Sequence, residues 1–217
     1  MEDQFEDQFN AYLEYYVILA KNAKKVEGST LNVPENLKTD LPELNRLDKI
    51  HKGIEDFYRN ESDGYSFEWW SDKENGIGGK LEFASSKDLF ADAGLYDGEG
   101  DEELQYFHPL DYPTPESFVG FIIMSDNTIY ESLYYISVSD YELNNLDLDY
   151  EGYTQMAIES RVFNHWQRVL LYYMDGIGIG SVETEIFKTE MPKIFPDWTW
   201  ENFIAKFESL RLSNKNK

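Results

Sequence analysis

The sequence predicts an α+β fold, with an antiparallel-rich sheet of about five or six strands flanked by N-terminal and C-terminal helices. Three observations lead to this prediction. Residues 5–26 and 42–60 carry apolar side chains at the helical spacing. Strand-like alternation recurs between residues 65 and 138, and the helical spacing returns after residue 150. Because helices precede and follow the strands and do not alternate with them, the order disfavours a doubly wound parallel sheet.

Two helices are expected before the sheet. The first spans residues 5–26, and the doubled "EDQF" at its start is a four-residue repeat, too short to signal a repeat architecture. A loop rich in Pro, Gly and Asn follows. The second helix spans residues 42–60, with Asp40 as its N-cap and Glu43 three residues later completing a capping box.

The strand region is expected to begin with a hairpin. "GYSFEWW" and "IGGKLEF" alternate in polarity, and the intervening "SDKENG" has the composition of a turn. A short helix, "SSKDLFADA", and an acidic loop come next. Further strands are predicted at "QYFHPL", "SFVGFIIM" and "TIYESLYYISV", with residues 125–127 turning the chain between the last two.

After the strands, residues 150–174 are predicted to form one long helix that ends at Gly176. A short segment is expected next, and residues 197–212 form a final amphipathic helix. The long helix carries an apolar stripe. Such a stripe usually packs a core and does not line a site, so we assign it a structural role. Its members are Tyr153, Met156, Ala157, Phe163, Trp166, Leu170 and Tyr173.

Length and composition favour a single folded domain over residues 1–217, in which residues 1–27 are an N-terminal helix extension and residues 92–104 an acidic loop. Hydrophobic residues make up 41% of the chain and aromatic residues 16%, so we expect it to fold despite a formal net charge of −23. Cysteine is absent, which excludes disulfides and fits a reducing compartment. The acidic start does not resemble a secretory signal and residues 118–124, the longest apolar run, are too short to span a bilayer, so we expect a cytoplasmic, soluble protein.

The negative charge is concentrated in one third of the chain. Residues 88–159 contain 17 acids and no Lys or Arg. Such a field repels nucleic acids and anionic membranes and attracts cationic partners. The alternative is that these acids only form a solvated surface that keeps the protein soluble.

Motifs for metal, cofactor or catalytic chemistry fail in their details. The EF-hand pattern from Asp97 has Glu102 where glycine is required and His108 at the last ligand, and the one from Asn145 fails at the same two positions. "GIGIG" follows a helix where the fingerprint requires a strand, and Ser181 stands where the third glycine should, so it does not match a dinucleotide loop. No pair among the 42 acids stands out as a catalytic pair. We therefore predict no enzyme activity, no cofactor and no metal.

Three segments together resemble the SUKH superfamily of the Smi/Knr type. "YSFEWWSDKENGIGGKLEFASSKDLF" resembles its centre, where a Trp-bearing strand leads into a strand of the form GxLxF and a short helix. "LDLDYEGYTQMAIESRVFNHWQRVLLYY" is similar to a helix of some bacterial members, and "DWTWENFIAKFESL" to the terminal helix. The resemblance covers residues 40–210, and the long N-terminal helix and the acidic loop depart from it.

This resemblance implies a binding protein without catalytic residues. Many bacterial members look like immunity proteins that neutralise toxins, often nucleases, while eukaryotic relatives resemble regulatory scaffolds. Each residue that matches the family pattern is first a core or turn residue. These residues are Trp69, Gly79, Leu81, Phe83 and Trp166.

The charge pattern and the resemblance together predict an immunity protein that occludes a basic, possibly nuclease, toxin. The alternatives are a cytoplasmic regulatory or scaffold protein of the same fold and, third, a hydrolase with an acidic cleft. Trp70 or Tyr96 is predicted as the apolar anchor for the toxin. The predicted acids that steer it are Asp97, Glu99, Asp101, Glu102, Glu103, Asp147, Asp149 and Glu151.

Overall fold

The structure is a computed structural model in which residues 14–18, 20–34, 42–47, 50–91, 94–95, 101–176 and 180–215 are described. Its fold is α+β with an antiparallel sheet, as predicted. The described part of the chain contains seven strands, slightly more than expected, and each strand neighbours those next to it in sequence. The strands are β1 (Gly28–Asn32), β2 (Tyr65–Asp72), β3 (Ile77–Phe83), β4 (Phe107–Thr114), β5 (Ser117–Ile122), β6 (Tyr134–Ser137) and β7 (Asn144–Asn145).

Helices occur before, within and after the strand region. The α-helices with described bounds are α1 (Lys52–Asp56), α2 (Ser86–Leu89), α3 (Tyr150–Glu159), α4 (Trp166–Asp175), α5 (Ser181–Ile194), α6 (Trp200–Leu210) and α7 (Leu212–Lys215). Residues 14–18 and 20–22 are also helical. Two 3₁₀ segments, Pro42–Arg46 and Glu102–Tyr106, and a π-helical turn, Phe57–Glu61, complete the helical structure of the described residues.

The chain divides into two compact units. The first, here the helical unit, comprises Met1–Leu31, Phe67–Lys80 and Gly152–Lys217, and the second, the acidic unit, comprises Asn32–Ser66 and Leu81–Glu151. The acidic unit contains 25 acids and 6 Lys or Arg residues, a net charge of −19. The helical unit contains 17 acids and 13 Lys or Arg residues, a net charge of −4. The expected single domain over residues 1–217 stays a prediction.

The predicted hairpin is confirmed as β2 and β3. The part of the hairpin that belongs to the helical unit packs around Trp69. This side chain is 1% exposed, and its indole Nε1 donates a hydrogen bond to the Arg161 carbonyl oxygen over 2.6 Å. The Phe195 ring meets the indole edge-on, with 5.2 Å between ring centroids. Burial of a large aromatic ring with its one donor satisfied fixes the position of β2 against the segment after α3.

The predicted single helix over residues 150–174 is wrong. The chain forms α3 and α4, separated by residues 160–165, where Arg161, Val162 and His165 have φ angles of 53°, 50° and 64°. These residues leave the helix because residues 162–164 run antiparallel to β3 instead. Lys80 N donates to the Val162 carbonyl over 2.8 Å, which replaces helical bonds with strand-type bonds.

The apolar stripe of this region nevertheless has the structural role we assigned to it. Six of its seven members are buried, whereas Tyr173 is 38% exposed and packs edge-on against Trp200 and Phe207. Gly176 ends α4 with a left-handed φ of 66°, as predicted. The residues of the family pattern, Trp69, Gly79, Leu81, Phe83 and Trp166, are all buried as well.

Three other predicted elements differ in their bounds. The helix expected over residues 42–60 is a 3₁₀ segment, α1 and a π-helical turn, because His51 adopts the non-helical angles φ −118° and ψ 49°. The strand expected from residue 128 begins at Tyr134, and residues 123 and 129 form only an isolated bridge across the predicted turn. The segment expected to be short after Gly176 contains the 14-residue α5. The capping residue Asp40 lies outside the described residues.

Candidate partner-binding site

The sheet of the acidic unit has two apolar faces. Strands β4, β5 and β6 pair so that Phe107 lies opposite Ile122 and Phe118 opposite Ile136. Side chains alternate between faces along a strand, so the neighbours Val119, Phe121 and Tyr135 point to the other face. We call the first face the outer face, defined by Phe107, Phe118, Ile122, Tyr134 and Ile136. Antiparallel sheets commonly bury one apolar face and present polar residues on the other, so a second apolar face requires a covering layer or a partner.

The outer face carries a buried hydrophobic cluster with partly buried side chains packed against it. Phe107, Ile122 and Ile136 form a buried cluster with Leu104 from the 3₁₀ segment. Around that cluster lies a ring of hydrophobic side chains that are only partly buried. They are Leu95, Tyr106, Phe118, Met124, Tyr130, Tyr134 and Leu143.

Tyr130 connects the two acidic segments that the sequence singled out. Its hydroxyl donates a hydrogen bond to Glu103 Oε1 over 2.7 Å, and its carbonyl oxygen accepts one from His51 Nε2 over 2.9 Å. The carboxylate of Asp149 acts electrostatically on the same imidazole. Glu103 and Asp149, which are 46 positions apart in the sequence, are therefore linked through one tyrosine and one histidine.

His51 is held in its neutral form. It is 1% exposed, and desolvation lowers its pKa from 6.5 to about 4, although the bond to Tyr130 and the charge of Asp149 act in the opposite direction. The ring packs against Phe121, with 5.4 Å between ring centroids, and its buried Nδ1 has no hydrogen-bond partner within the part of the chain that the structure describes. Protonation would place an unsolvated charge in this part of the acidic unit.

This pKa predicts an acid-dependent loss of stability. The folded state prefers the neutral imidazole, so the unfolded chain takes up the proton first as the pH falls, and stability is lost from pH 6.5 down to about 4. The free energy of unfolding of the wild type minus that of His51→Gln should rise by about 3 kcal/mol between pH 4 and pH 6.5. Urea titrations at pH steps measure this difference. A difference that does not change with pH would contradict the assignment.

The predicted loop acids differ in their surroundings. Asp101 and Glu102 are exposed, and the Asp101 carboxylate caps the 3₁₀ segment by accepting a hydrogen bond from Glu103 N over 2.9 Å. Residues 102–104, expected to be loop, belong to that segment because of this cap. Tyr96, Asp97 and Glu99 lie outside the described residues.

The second group of predicted acids surrounds the start of α3. Asp147 has a left-handed φ of 57°, and its backbone N–H donates to Asn145 Oδ1 over 2.6 Å. Asp149 is half-buried near His51, while Glu151 is exposed in the first turn of α3. An acid in the first turn of a helix is stabilised by the helix dipole, so the helix alone is a sufficient structural reason for an acid at position 151.

Trp70 belongs to the helical unit, whereas the predicted acids belong to the acidic unit. Its half-buried ring lies against the backbone of Gly28, where an added Cβ would come within 2.7 Å of Cε2. The ammonium group of Lys73 sits over the ring, 4.9 Å from its centroid. The role of Trp70 as an anchor stays a prediction. The structure shows only its contacts with Gly28 and Lys73.

Sequence reasoning missed Tyr130, Tyr134 and His51. The alternation in "TIYESLYYISV" predicts a strand but does not distinguish its half-buried aromatic residues from core residues. The sequence signal that could have identified the tyrosines is their spacing. Tyr130 and Tyr134 are four residues apart, with Glu131 between them, in a region without Lys or Arg. That pattern places aromatic residues, which are enriched at interfaces, beside acids whose charge is complementary to a basic partner.

Within the described ranges, no group of three or more His, Asp or Glu side chains is arranged to hold a metal ion. In the same part of the chain, no helix combines the length and the apolar character needed to cross a membrane. Comparison of the chain with protein-family models, with curated proteins and with solved structures gave no match.

Proposed function

We propose that this chain is a non-enzymatic binding protein that neutralises a basic protein by covering its functional surface. The observation that carries the proposal is the unequal charge of the two units, −19 for the acidic unit against −4 for the helical unit. A charge needed only for solubility has no reason to be concentrated in one unit. Concentration on one unit instead favours an oriented encounter with a cationic partner.

The acidic unit also offers apolar contact area beside this charge. The partly buried side chains packed against the outer-face cluster include tyrosine, phenylalanine and methionine, residue types that are enriched in interface cores. Aromatic side chains usually supply most of the binding energy, while exposed acids at the rim mainly raise the association rate. A surface with both properties is suited to fast and stable binding without chemistry.

We further propose that the partner is a bacterial toxin and that the chain is an immunity protein of the SUKH type acting in the cytoplasm. The resemblance of residues 65–90 to the centre of that superfamily supports this part of the proposal. A toxin that cuts nucleic acid needs a basic surface to bind phosphates, and that surface is complementary to the acidic unit. Occlusion of the toxin's nucleic-acid site would be sufficient for neutralisation.

The test is recovery of the partner followed by a growth assay. The tagged chain is purified from its native host, or with adjacent gene products, and washed at high salt before mass spectrometry. We expect one basic protein that prevents growth when it is expressed alone and permits growth when this chain is co-expressed. Recovery of the chain alone, or only of abundant basic proteins that the wash removes, would contradict the immunity function.

A further inference from the structure

We infer that Glu103, Tyr130 and Tyr134 form a socket for an arginine side chain of the partner protein. This inference rests on the proposed function and assigns a recognition site within the outer face. The occupant is a guanidinium group presented on a protein surface, because the socket combines one carboxylate with two aromatic rings.

The three side chains form a connected group. The hydroxyl of Tyr130 donates to Glu103 Oε1 over 2.7 Å, and the rings of Tyr130 and Tyr134 are 6.1 Å apart between centroids at an angle of 46°. All three residues are half-buried, so they are accessible and yet partly shielded from water. Both rings pack against the outer-face cluster, which limits their motion.

Among the described residues, Glu103 has no cationic partner. No ion pair involves it within the described residues, and no Lys or Arg occurs between residues 88 and 159. Its described side-chain contact is the Tyr130 hydroxyl, which leaves acceptor capacity on the carboxylate. A half-buried carboxylate gains more from a cation than an exposed one, because water screens the pair less.

The two phenols stay neutral at physiological pH. The hydrogen bond to Glu103 raises the pKa of Tyr130, and desolvation together with the charge of Glu103 raises the pKa of Tyr134. Both rings therefore offer neutral aromatic faces to a cation, while the carboxylate provides the negative charge. The exposed acids Asp126 and Glu131 lie at neighbouring sequence positions and add to the local negative potential.

Arginine fits this group better than lysine. A guanidinium is planar, so it can stack on an aromatic ring while its N–H groups donate to a carboxylate, and it is more weakly hydrated than an ammonium group. The compact ammonium of lysine satisfies the charge but not the planar contact. The socket should therefore distinguish two cationic peptides of equal charge.

The test uses two short peptides, acetyl-Gly-Arg-Gly-Arg-Gly-amide and its counterpart with lysine at both positions, titrated into the full chain and followed by NMR of the tyrosine rings. We expect the arginine peptide to bind about fivefold more tightly and to shift the Tyr130 and Tyr134 resonances. Glu103→Gln should weaken its binding about fivefold, because the amide oxygen still accepts from Tyr130 while the charge is removed.

Glu102→Gln is the matched control, since it removes the same charge from the adjacent exposed residue. It should change the affinity for the arginine peptide less than twofold. Equal binding of the two peptides, or equal weakening by the two variants, would overturn the socket. A native partner that binds Glu103→Gln as tightly as wild type would also overturn it and would leave the proposed function in place.

Discussion

Reversing two exposed acids of the acidic unit, with Glu102→Lys and Glu131→Lys together, is expected to slow association with the basic partner about tenfold. Both side chains are exposed, and they are adjacent in sequence to the socket residues Glu103 and Tyr130. The change removes two negative charges and adds two positive ones, which shifts the net charge by +4 in the stretch that contains no Lys or Arg. Rim charges act mainly on the association rate, so the dissociation rate should change much less.

The helical unit provides the matched control for this change. Glu185 and Glu201 are exposed residues on α5 and α6, and Glu185→Lys with Glu201→Lys alters the total charge by the same amount. We expect its association rate to stay within about twofold of wild type, because the acids of the acidic unit, to which the proposed attraction is assigned, are unchanged in this variant. Stopped-flow or biosensor kinetics with the partner measure both variants. Equal slowing by the two variants would show that only the total charge matters.

The second large effect is expected from Gly79→Ala, which should lower the free energy of unfolding by about 3 kcal/mol. Gly79 lies in β3 and forms an antiparallel bridge with Phe163. An added Cβ would collide with the backbone carbonyl of Val162 and lie 2.6 Å from the Trp69 Nε1. Backbone cannot move aside as a flexible side chain can, so the strand pairing and the buried Trp69 hydrogen bond would both be disturbed.

Gly76→Ala is the control from the turn of the same hairpin. An added Cβ at Gly76 meets no atom within 4 Å, but its φ of 69° disfavours a side chain. We expect a loss of about 1 kcal/mol from this backbone conformation alone. Thermal or urea unfolding of both variants measures the difference. Equal losses would contradict the proposed close approach of β3 to residues 162–164.

The hairpin of β2 and β3 could be predicted because local signals agree there. Alternating Tyr65, Phe67 and Trp69 favour a strand, and the polar turn that follows allows the chain to reverse. The structure buries these three aromatic side chains on one face, with intermediate exposure between them. When alternation, turn composition and burial all favour the same conformation, the sequence suffices.

The break between α3 and α4 could not be predicted, because no residue near it in the sequence indicates the end of a helix. Residues 160–165 contain no Gly or Pro, and Val162 and Phe163 are as buried as helical core residues would be. The break is stabilised by partners distant in sequence, namely the Trp69 indole on Arg161 and the edge of β3. Arg161 is itself held by stacking on the Tyr16 ring, 3.5 Å from its centroid.

The sequence predicts the negative charge of the candidate site but not which side chains contact one another there. The sequence identifies the acid-rich region, and Glu103 and Asp149 were both among the predicted residues. It does not reveal that Tyr130 joins them, because His51 contributes from 79 positions away. Periodicity also assigns an alternating strand one buried face, whereas both faces of the sheet around β5 carry apolar residues. Long-range pairing of this kind is absent from local patterns.

The central claim is that the charge of the acidic unit brings a basic partner to this protein. Its most direct test is the association rate constant of the wild type and both charge-reversed variants over a series of salt concentrations. We expect a steep decrease with salt for the wild type and for the helical-unit variant, and a clearly shallower one for Glu102→Lys with Glu131→Lys. Three identical salt dependences would contradict the claim.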